Sequence, residues 1–389
     1  MRVLLFIDIY RAAFEDANVE SAAWDDTTLY LYFCIISLVF IGGWVIEKNT
    51  KRLDGLSKGA YIWIAFTGIL LTSILGLRGV NIGIDTGAYR ESFENALNRD
   101  AFSDSTIEPG WQSLAKIMRF IFPSSELFVF IISAITVYLI IKTIWKYRIS
   151  INIFLALLFY VGLYYFQAMN LMRIYLAMSI LIFFFHYLLE GKYVKYIIIV
   201  LMTTMLHLSS IVMLLPVAML WLYQRSKLLA VFAFFLLMVS LINFSIVFGD
   251  YIAIARYADY ASGNESSRQV GVMLFFDYLP CFAMIIYAIK NKLSNQWTDL
   301  LVSFTLVAFL MRFIAYFITI AGRLGIHFAI LYLLLLPYFV NHMRLHHRRL
   351  YPITLFLLIL FVIIRVHFYF KGYLAIDGIM PYNFIWNDL

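Results

Sequence analysis

The chain has 389 residues, of which 63% are hydrophobic and 14% are charged, whereas an ordinary soluble domain has about 25% charged residues. This composition excludes a soluble globular protein and predicts an all-α, polytopic integral membrane helical bundle. In such a protein the net charge of +7 mainly determines orientation in the membrane, so no nucleic-acid partner is expected.

Apolar runs divide the chain into about twelve predicted transmembrane helices, each near the roughly 20 residues that a crossing needs. Residues 194–223 form one apolar stretch that is interrupted at His207. This pattern favours two short or re-entrant helices in a hairpin, and one long tilted helix is the alternative. The predicted spans are 29–46, 60–77, 127–145, 151–169, 174–189, 194–206, 209–223, 228–248, 271–289, 300–320, 324–341 and 350–370.

The distribution of basic residues predicts the orientation of these spans. One set of alternate loops holds 16 lysines and arginines in 48 residues, whereas the other set holds 12 in 126 residues. By the positive-inside rule the first set faces the cytoplasm, and both termini face outward. The predicted cytoplasmic loops are 47–59, 142–150, 190–195, 224–227, 290–297 and 342–349.

Three regions are expected along the chain: an N-terminal extension at 1–28, which is a candidate interfacial segment, a transmembrane domain at 29–370, and a C-terminal tail at 371–389. Two long outer loops are predicted within the transmembrane domain, at 78–125 and 249–270. The second of these is a candidate lid.

The loop at 78–125 has internal structure of its own. Its Glu108-Pro109-Gly110-Trp111 sequence predicts a turn. Residues 111–122 predict an amphipathic helix on the membrane surface.

Five arginines on the predicted outer side indicate a site for an anionic, lipid-linked substrate. Arg78, Arg173 and Arg323 stand at the outer ends of spans, while Arg312 and Arg365 lie within spans. A guanidinium can donate two parallel hydrogen bonds to phosphate oxygens, and charges at membrane depth tend to face a cavity. The pattern therefore predicts a phosphate or diphosphate site. Snorkelling of each arginine to the headgroups is the alternative.

The preferred candidate for a general base is His207, because an imidazole titrates near neutral pH. It lies at the tip of the predicted hairpin, beside Ser209. Asp85 and Glu108 are the candidate carboxylates. Either could take a proton from a sugar hydroxyl, or could pair with Arg78 to hold the loop.

Several classes of protein are disfavoured because their motifs are missing from the sequence. There is no GxxxxGK[ST], no GxGxxG after a strand, no HExxH, no CxxC and no GxSxG. No cluster of His, Asp and Glu has metal-ligand spacing, so neither a metal nor another cofactor is assigned.

Three short segments in order resemble the EpsG-like and Wzy-type polymerases of bacterial surface polysaccharides, which make O-antigen, capsule or exopolysaccharide. The segments are similar to that family's R-x-x-x-x-G-x-D-x-x-x-Y-x-x-x-F loop, its N-x-x-R-Q-x-x-A helix start and its F-H-x-S-A turn. Two positions depart from the pattern, with Ile174 in place of glutamine and Ser210 in place of alanine. The matching residues are Arg78, Gly83, Asp85, Tyr89, Phe93, Asn170, Arg173, Ala177, His207 and Ser209.

The resemblance implies a membrane glycosyltransferase that polymerises undecaprenyl-diphosphate-linked oligosaccharide repeats on the outer face of the bacterial cytoplasmic (inner) membrane. The growing glycan would leave its lipid carrier and join a hydroxyl of the next lipid-linked repeat. Chain-length regulator and flippase proteins would be its partners, together with membrane lipid.

The resemblance also implies roles for individual residues. Arg173, Arg78 and Arg323 would neutralise the diphosphate. His207 or Asp85 would accept the proton of the acceptor hydroxyl. Tyr89 and Trp111 would stack on sugar rings. The remaining predicted substrate-binding residues are Glu108, Asn170, Ser209 and Arg312.

Other functions remain open at this stage: a flippase or exporter of the same lipid-linked oligosaccharide, an O-antigen ligase, or a membrane acyltransferase acting on the glycan. A transporter usually places charges near the bilayer midplane and often has repeated halves. Here the charges lie at one face and no repeat is visible, so the pattern favours an enzyme.

Overall fold

The computed structural model describes residues 2–16, 24–50, 58–98, 107–256, 272–314 and 321–387, and for 2–6, 16, 241–242, 244–256, 272–274, 321–322 and 387 it describes the backbone only. This part of the chain is helical, and its only β-type pairing is one isolated bridge. The predicted all-α polytopic fold is therefore confirmed. The chain divides into a first unit, Met1–Phe183 with Val340–Leu389, and a second unit, Phe184–Phe339.

The described α-helices are α1 to α17 in chain order. The earlier ones are α1 (Arg2–Asp16), α2 (Asp26–Thr50), α3 (Lys58–Gly76), α4 (Thr86–Glu94), α5 (Pro109–Ile121), α6 (Ser125–Lys146), α7 (Ile153–Phe159) and α8 (Met172–Phe183). The later ones are α9 (His186–Leu189), α10 (Tyr193–Leu206), α11 (Leu214–Arg225), α12 (Lys227–Arg256), α13 (Val272–Lys290), α14 (Gln296–Ile314), α15 (Ala321–Leu324), α16 (Leu336–His346) and α17 (Leu350–Tyr373).

Eight helical segments of the described chain are long and apolar enough to cross a membrane, as expected for a multi-pass membrane protein. Three shorter apolar helical segments, Ile153–Met169, Tyr193–Leu206 and Lys227–Ser240, coincide with further predicted spans. The first consists of α7 and the π and 3₁₀ segments after it, and the last is the first part of α12. The count of twelve crossings stays a prediction. The eight segments are Asp26–Thr50, Lys58–Gly76, Ser125–Lys146, Met172–Leu189, Leu208–Arg225, Gln296–Ile314, Gly325–His346 and Leu350–Tyr373.

The predicted interruption at His207 is confirmed. α10 ends at Leu206, the backbone of His207 is extended (φ −155°, ψ 117°), and a 3₁₀ turn at Leu208–Met213 leads into α11. Because α10 and α11 also pack against each other, the structure favours the hairpin and excludes one long continuous helix.

The predicted amphipathic helix at 111–122 is present as α5, but the predicted turn before it is wrong. Pro109 is the first residue of α5, and Glu108 precedes it in an extended conformation. Proline suits this position because its fixed φ is helical and its missing N–H has no partner in the first turn. The predicted lid at 249–270 lies largely outside the described residues, since the described helix α12 ends at Arg256.

In the first unit, α6 packs against both α3 and α8, and α2 packs against α3 and α7. A small residue allows α3 and α6 to approach closely. A Cβ built on Gly76 would lie 2.7 Å from Cδ2 and 3.2 Å from Cα of Phe130 in α6. Gly68, on the same helix, has no such neighbour within 4 Å.

We expect Gly76→Ala to lower the free energy of unfolding by about 1–3 kcal/mol, because the added methyl group overpacks the contact with the Phe130 backbone. Gly68→Ala is the matched control and should leave stability unchanged or raise it by up to about 1 kcal/mol, because alanine favours a helix over glycine and its methyl group meets no neighbour. The measurement is the denaturation midpoint of each purified protein in detergent micelles. Equal midpoints for the two variants would contradict the close helix contact.

Candidate functional site

The loop after α3 (residues 77–85, the site loop) pairs with the C-terminal segment (residues 374–385) that follows α17. Arg78 and Phe384 form an antiparallel bridge. Four backbone hydrogen bonds join the two segments: Gly79 N–H to Asn383 O (2.9 Å), Ile385 N–H to Leu77 O (3.0 Å), Gly83 N–H to Gly378 O (2.7 Å) and Ile84 N–H to Asp377 O (3.2 Å). The predicted C-terminal tail therefore contributes to the structure of the predicted site.

Arg78 lies beneath the site loop with none of its side chain exposed. Its guanidinium donates to the carbonyl oxygens of Leu75 and Ile82 and to the hydroxyls of Ser133 and Thr86. Burial, with a smaller contribution from Arg90, lowers the pKa of Arg78 to about 10, which leaves it charged at neutral pH. Because no donor surface is exposed, this placement favours a structural role over the predicted contact with a diphosphate.

Gly83 allows the site loop to touch the segment before α8. Its φ is +84°, a left-handed conformation that side chains with a Cβ rarely adopt. A Cβ at Gly83 would lie 2.3 Å from the carbonyl oxygen of Met169. The hydroxyl of Thr86 also lies at this contact, 3.3 Å from the same oxygen. The loop is therefore pressed directly against the residue that precedes Asn170.

Asn170 connects the site loop to the C-terminal segment. Its Oδ1 accepts a hydrogen bond from the backbone N–H of Asp85 (3.0 Å), and its Nδ2 donates to Oδ1 of Asp377 (3.3 Å). The other carboxylate oxygen of Asp377 accepts a hydrogen bond of 2.6 Å from Tyr369 in α17. Asn170 is only 7% exposed, so this amide is a buried bridge between the two segments.

Arg173, three residues later in the first turn of α8, is held by an acid and two aromatic rings. Its Nη1 donates to Glu108 at 2.7 Å, and its guanidinium carbon lies 5.6 Å from the ring centre of Tyr89 and 6.0 Å from that of Trp111. The Nε of Arg173 is buried and has no hydrogen-bond partner among the described residues. The side chain keeps 22% of its surface exposed, so it is both constrained and accessible.

Tyr89 links this arginine to Asp85, because its hydroxyl lies 3.4 Å from Oδ2 of Asp85. Trp111 is 1% exposed and packs edge-on against Tyr89 and Phe128. Its ring therefore supports Arg173 from within the protein. This placement leaves the ring little surface for the predicted stacking on a sugar.

The predicted site residues fall into two sets. In the first unit, the structure brings together Asp85, Tyr89, Glu108, Trp111, Asn170 and Arg173, with Arg78 buried beneath them. The second unit contains His207, Ser209, Arg312 and Arg323. Arg312 is half-buried in the last turn of α14, and Arg323 is half-buried in α15.

Within the second unit, the hairpin tip forms a small polar cluster. The hydroxyl of Ser209 is hydrogen-bonded to Nε2 of His327 at 2.7 Å, and the rings of His207 and His327 lie 6.5 Å apart. His327 is fully buried, and its Nδ1 has no hydrogen-bond partner among the described residues. The structure thus adds a second histidine beside the predicted base.

Sequence reasoning assigned no role to Asp377 or His327. The only signals were weak: Asp377 precedes a glycine in the predicted outer tail, and His327 lies near the predicted outer end of a span. Within the described part of the chain, no group of three or more His, Cys, Asp and Glu residues is arranged to hold a metal ion.

A comparison with known protein families gives a match over most of the chain. The sequence model of the EpsG family, a family of polysaccharide polymerase-like membrane proteins, matches residues 61–384. No curated protein and no solved structure matches the chain. The matched range includes the site loop, both histidines of the hairpin cluster and Asp377.

We expect Gly83→Ala to destabilise the protein by about 2 kcal/mol or more, because it combines a left-handed φ with a clash against a backbone oxygen. Gly87→Ala in α4 is the matched control. No atom lies within 4 Å of a Cβ at Gly87, and alanine favours a helix by up to about 1 kcal/mol over glycine. In detergent, the denaturation midpoint of Gly83→Ala should be lower than that of wild type, and the midpoint of Gly87→Ala should be equal or higher. A neutral Gly83→Ala would contradict the described loop.

Proposed function

The chain belongs to the EpsG family, and on that premise we propose that it is a membrane glycosyltransferase that polymerises lipid-diphosphate-linked oligosaccharide repeats. Its substrate in this proposal is an undecaprenyl-diphosphate-linked oligosaccharide. The site faces the outside of the bacterial cytoplasmic membrane, as supported by the asymmetry of basic residues between the two sets of loops. A flippase would supply the substrate, and a chain-length regulator would act with the polymerase.

In the proposed reaction, a sugar hydroxyl of one lipid-linked repeat attacks the anomeric carbon of the growing glycan. The new glycosidic C–O bond forms as the bond between that carbon and the diphosphate oxygen breaks. The lipid diphosphate leaves with the bonding electron pair, and the hydroxyl proton passes to a basic side chain. No nucleotide is needed, because the glycosyl diphosphate is already an activated donor with a stable leaving group.

The observation that carries this proposal is the placement of Arg173. Its guanidinium is oriented by Glu108 and by the rings of Tyr89 and Trp111, yet part of its surface is exposed. A guanidinium fixed before substrate binds loses less conformational freedom on binding than a mobile one. Such a group suits the stabilisation of charge on a departing diphosphate.

Two residues are candidates for the proton acceptor, and we assign the role first to Asp85. Its half-buried carboxylate is connected to Arg173 through Tyr89 within the first unit. His207, the residue preferred on sequence, is the alternative and has Ser209 and His327 beside it in the second unit.

We expect Arg173→Lys to lower kcat/KM by about 10–100-fold, because lysine keeps the charge but lacks the two-pronged donor geometry. The control is Lys116→Ala, which removes an exposed positive charge from α5 and should leave the rate unchanged. The assay uses the purified full chain in phospholipid vesicles with a lipid-diphosphate-linked oligosaccharide. It measures both the glycan ladder and the released lipid diphosphate.

Other outcomes of this assay would overturn the proposed reaction. Movement of intact substrate across the bilayer without a longer glycan would identify a flippase. Transfer of the glycan to a different lipid acceptor, with no ladder, would identify a ligase. A wild-type rate for Arg173→Lys and for Arg173→Ala would remove the arginine from the mechanism.

Substitution of the proposed base should have a larger effect. We expect Asp85→Asn to lower kcat by about 100-fold or more, since a general base typically contributes 10²–10⁴-fold. Glu91→Gln, which neutralises an exposed carboxylate of α4, is the control. If His207→Ala abolishes turnover while Asp85→Asn retains it, then the proton acceptor is His207.

A further inference from the structure

The C-terminal segment adds to the site a residue that lies 207 positions after Asn170 in the chain. We propose that Asp377 is a positioning residue that orients the Asn170 amide and, through it, both the site loop and the start of α8. Its kinetic consequences rest on the proposed function. The hydrogen-bonded bridge itself is independent of any reaction.

The Asn170 amide is held in one orientation by two neighbours. A side-chain amide has an acceptor end and a donor end, and its neighbours decide which way it points. On one side of Asn170 lies the backbone N–H of Asp85, which can only donate. On the other side lies the carboxylate of Asp377, which accepts when ionised. Asp377 therefore selects the one orientation in which Asn170 can hold the site loop.

Asp377 is itself held in place by α17 and by the site loop. The hydroxyl of Tyr369, two turns earlier on the chain in α17, donates to its Oδ2 at 2.6 Å. Its backbone carbonyl accepts from Ile84 at 3.2 Å. Gly378 has a φ of +62°, and a Cβ there would lie 2.9 Å from the Ile84 side chain. The carboxylate is thus fixed by the last long helix and by the site loop together.

The bridge through Asn170 lies between the start of α8 and the start of α4. Asn170 lies in the turn between the 3₁₀ segment Phe166–Met169 and α8, three residues before Arg173. Its other contact is the backbone of Asp85, the residue that precedes α4. A rotation of this amide would shift the proposed base and the proposed diphosphate-binding arginine together. Asp377 acts on both through the bridge and need not touch the substrate.

A charge-swap experiment tests the bridge directly. In Asn170→Asp two carboxylates would face each other where the amide and Asp377 are now 3.3 Å apart. In Asp377→Asn the amide oxygen can still accept from Asn170, so the effect should be small. In the double variant Asn170→Asp/Asp377→Asn, the new carboxylate at 170 can accept from both the Asp85 N–H and the amide at 377. The donor and acceptor pattern is thereby restored with the two side chains exchanged.

The kinetic readout uses the full-length proteins in phospholipid vesicles with the lipid-diphosphate-linked oligosaccharide, at a temperature where all four proteins remain folded. We expect Asn170→Asp to lower kcat/KM about tenfold and to raise KM at least about threefold, because Arg173 and the loop are displaced. The double variant should return to within about threefold of wild type. A purely structural role would reduce the amount of active protein without changing KM.

The thermal midpoints of the same four proteins in detergent provide the second readout. The bridge predicts a lower midpoint for Asn170→Asp and recovery in the double variant, whether or not the wild type polymerises glycan. If the double variant is no better than Asn170→Asp in both readouts, the two residues act independently and the positioning role is overturned. If wild type makes no polymer but the midpoints recover, the proposed function fails and the bridge stands.

Discussion

The described site depends on one buried positive charge. Arg78 has no exposed surface, and its guanidinium joins the end of α3, the site loop, α4 and α6 through hydrogen bonds to carbonyl and hydroxyl oxygens. An irregular loop at the edge of a membrane bundle leaves carbonyl groups that no helix satisfies. A guanidinium can satisfy several of them at once, because it has five N–H donors in one plane. The site loop can therefore be non-helical and still bury the carbonyl groups that accept from Arg78.

Besides its contacts with Arg78, the site loop contacts the segment before α8 and the C-terminal segment. Gly83 lets the backbone approach Met169, and the C-terminal segment adds backbone hydrogen bonds along the loop. These contacts bring Asn170 against Asp85, and Arg173 follows in the first turn of α8. The accessible Arg173 therefore lies next to residues that are themselves held in place by hydrogen bonds and close packing. This is the arrangement expected where a side chain must be oriented before its ligand arrives.

Sequence patterns predicted the helices well because a bilayer imposes a strong rule. Every backbone N–H and C=O within the membrane needs a partner in the protein, so a long apolar run becomes a helix. The break at His207 and the helix α5 were predicted for the same kind of local reason. Local reasoning was wrong at Glu108–Trp111, where Pro109 begins a helix instead of turning the chain. Proline is common both in turns and at the first position of a helix. In this chain it takes the helical position, and Trp111, two residues later, packs beneath Arg173.

The sequence by itself determined the membrane class, the position of most helices and the candidates Asp85, Asn170, Arg173 and His207, since these depend on composition and short motifs. Only the tertiary structure decided how they are used. It buried Arg78 and Trp111, paired Arg173 with Glu108, placed His327 beside Ser209 and brought Asp377 to Asn170. These relations join residues from about 65 to more than 200 positions apart in the chain. Hydropathy and local spacing do not predict such contacts, because they depend on how distant helices pack together.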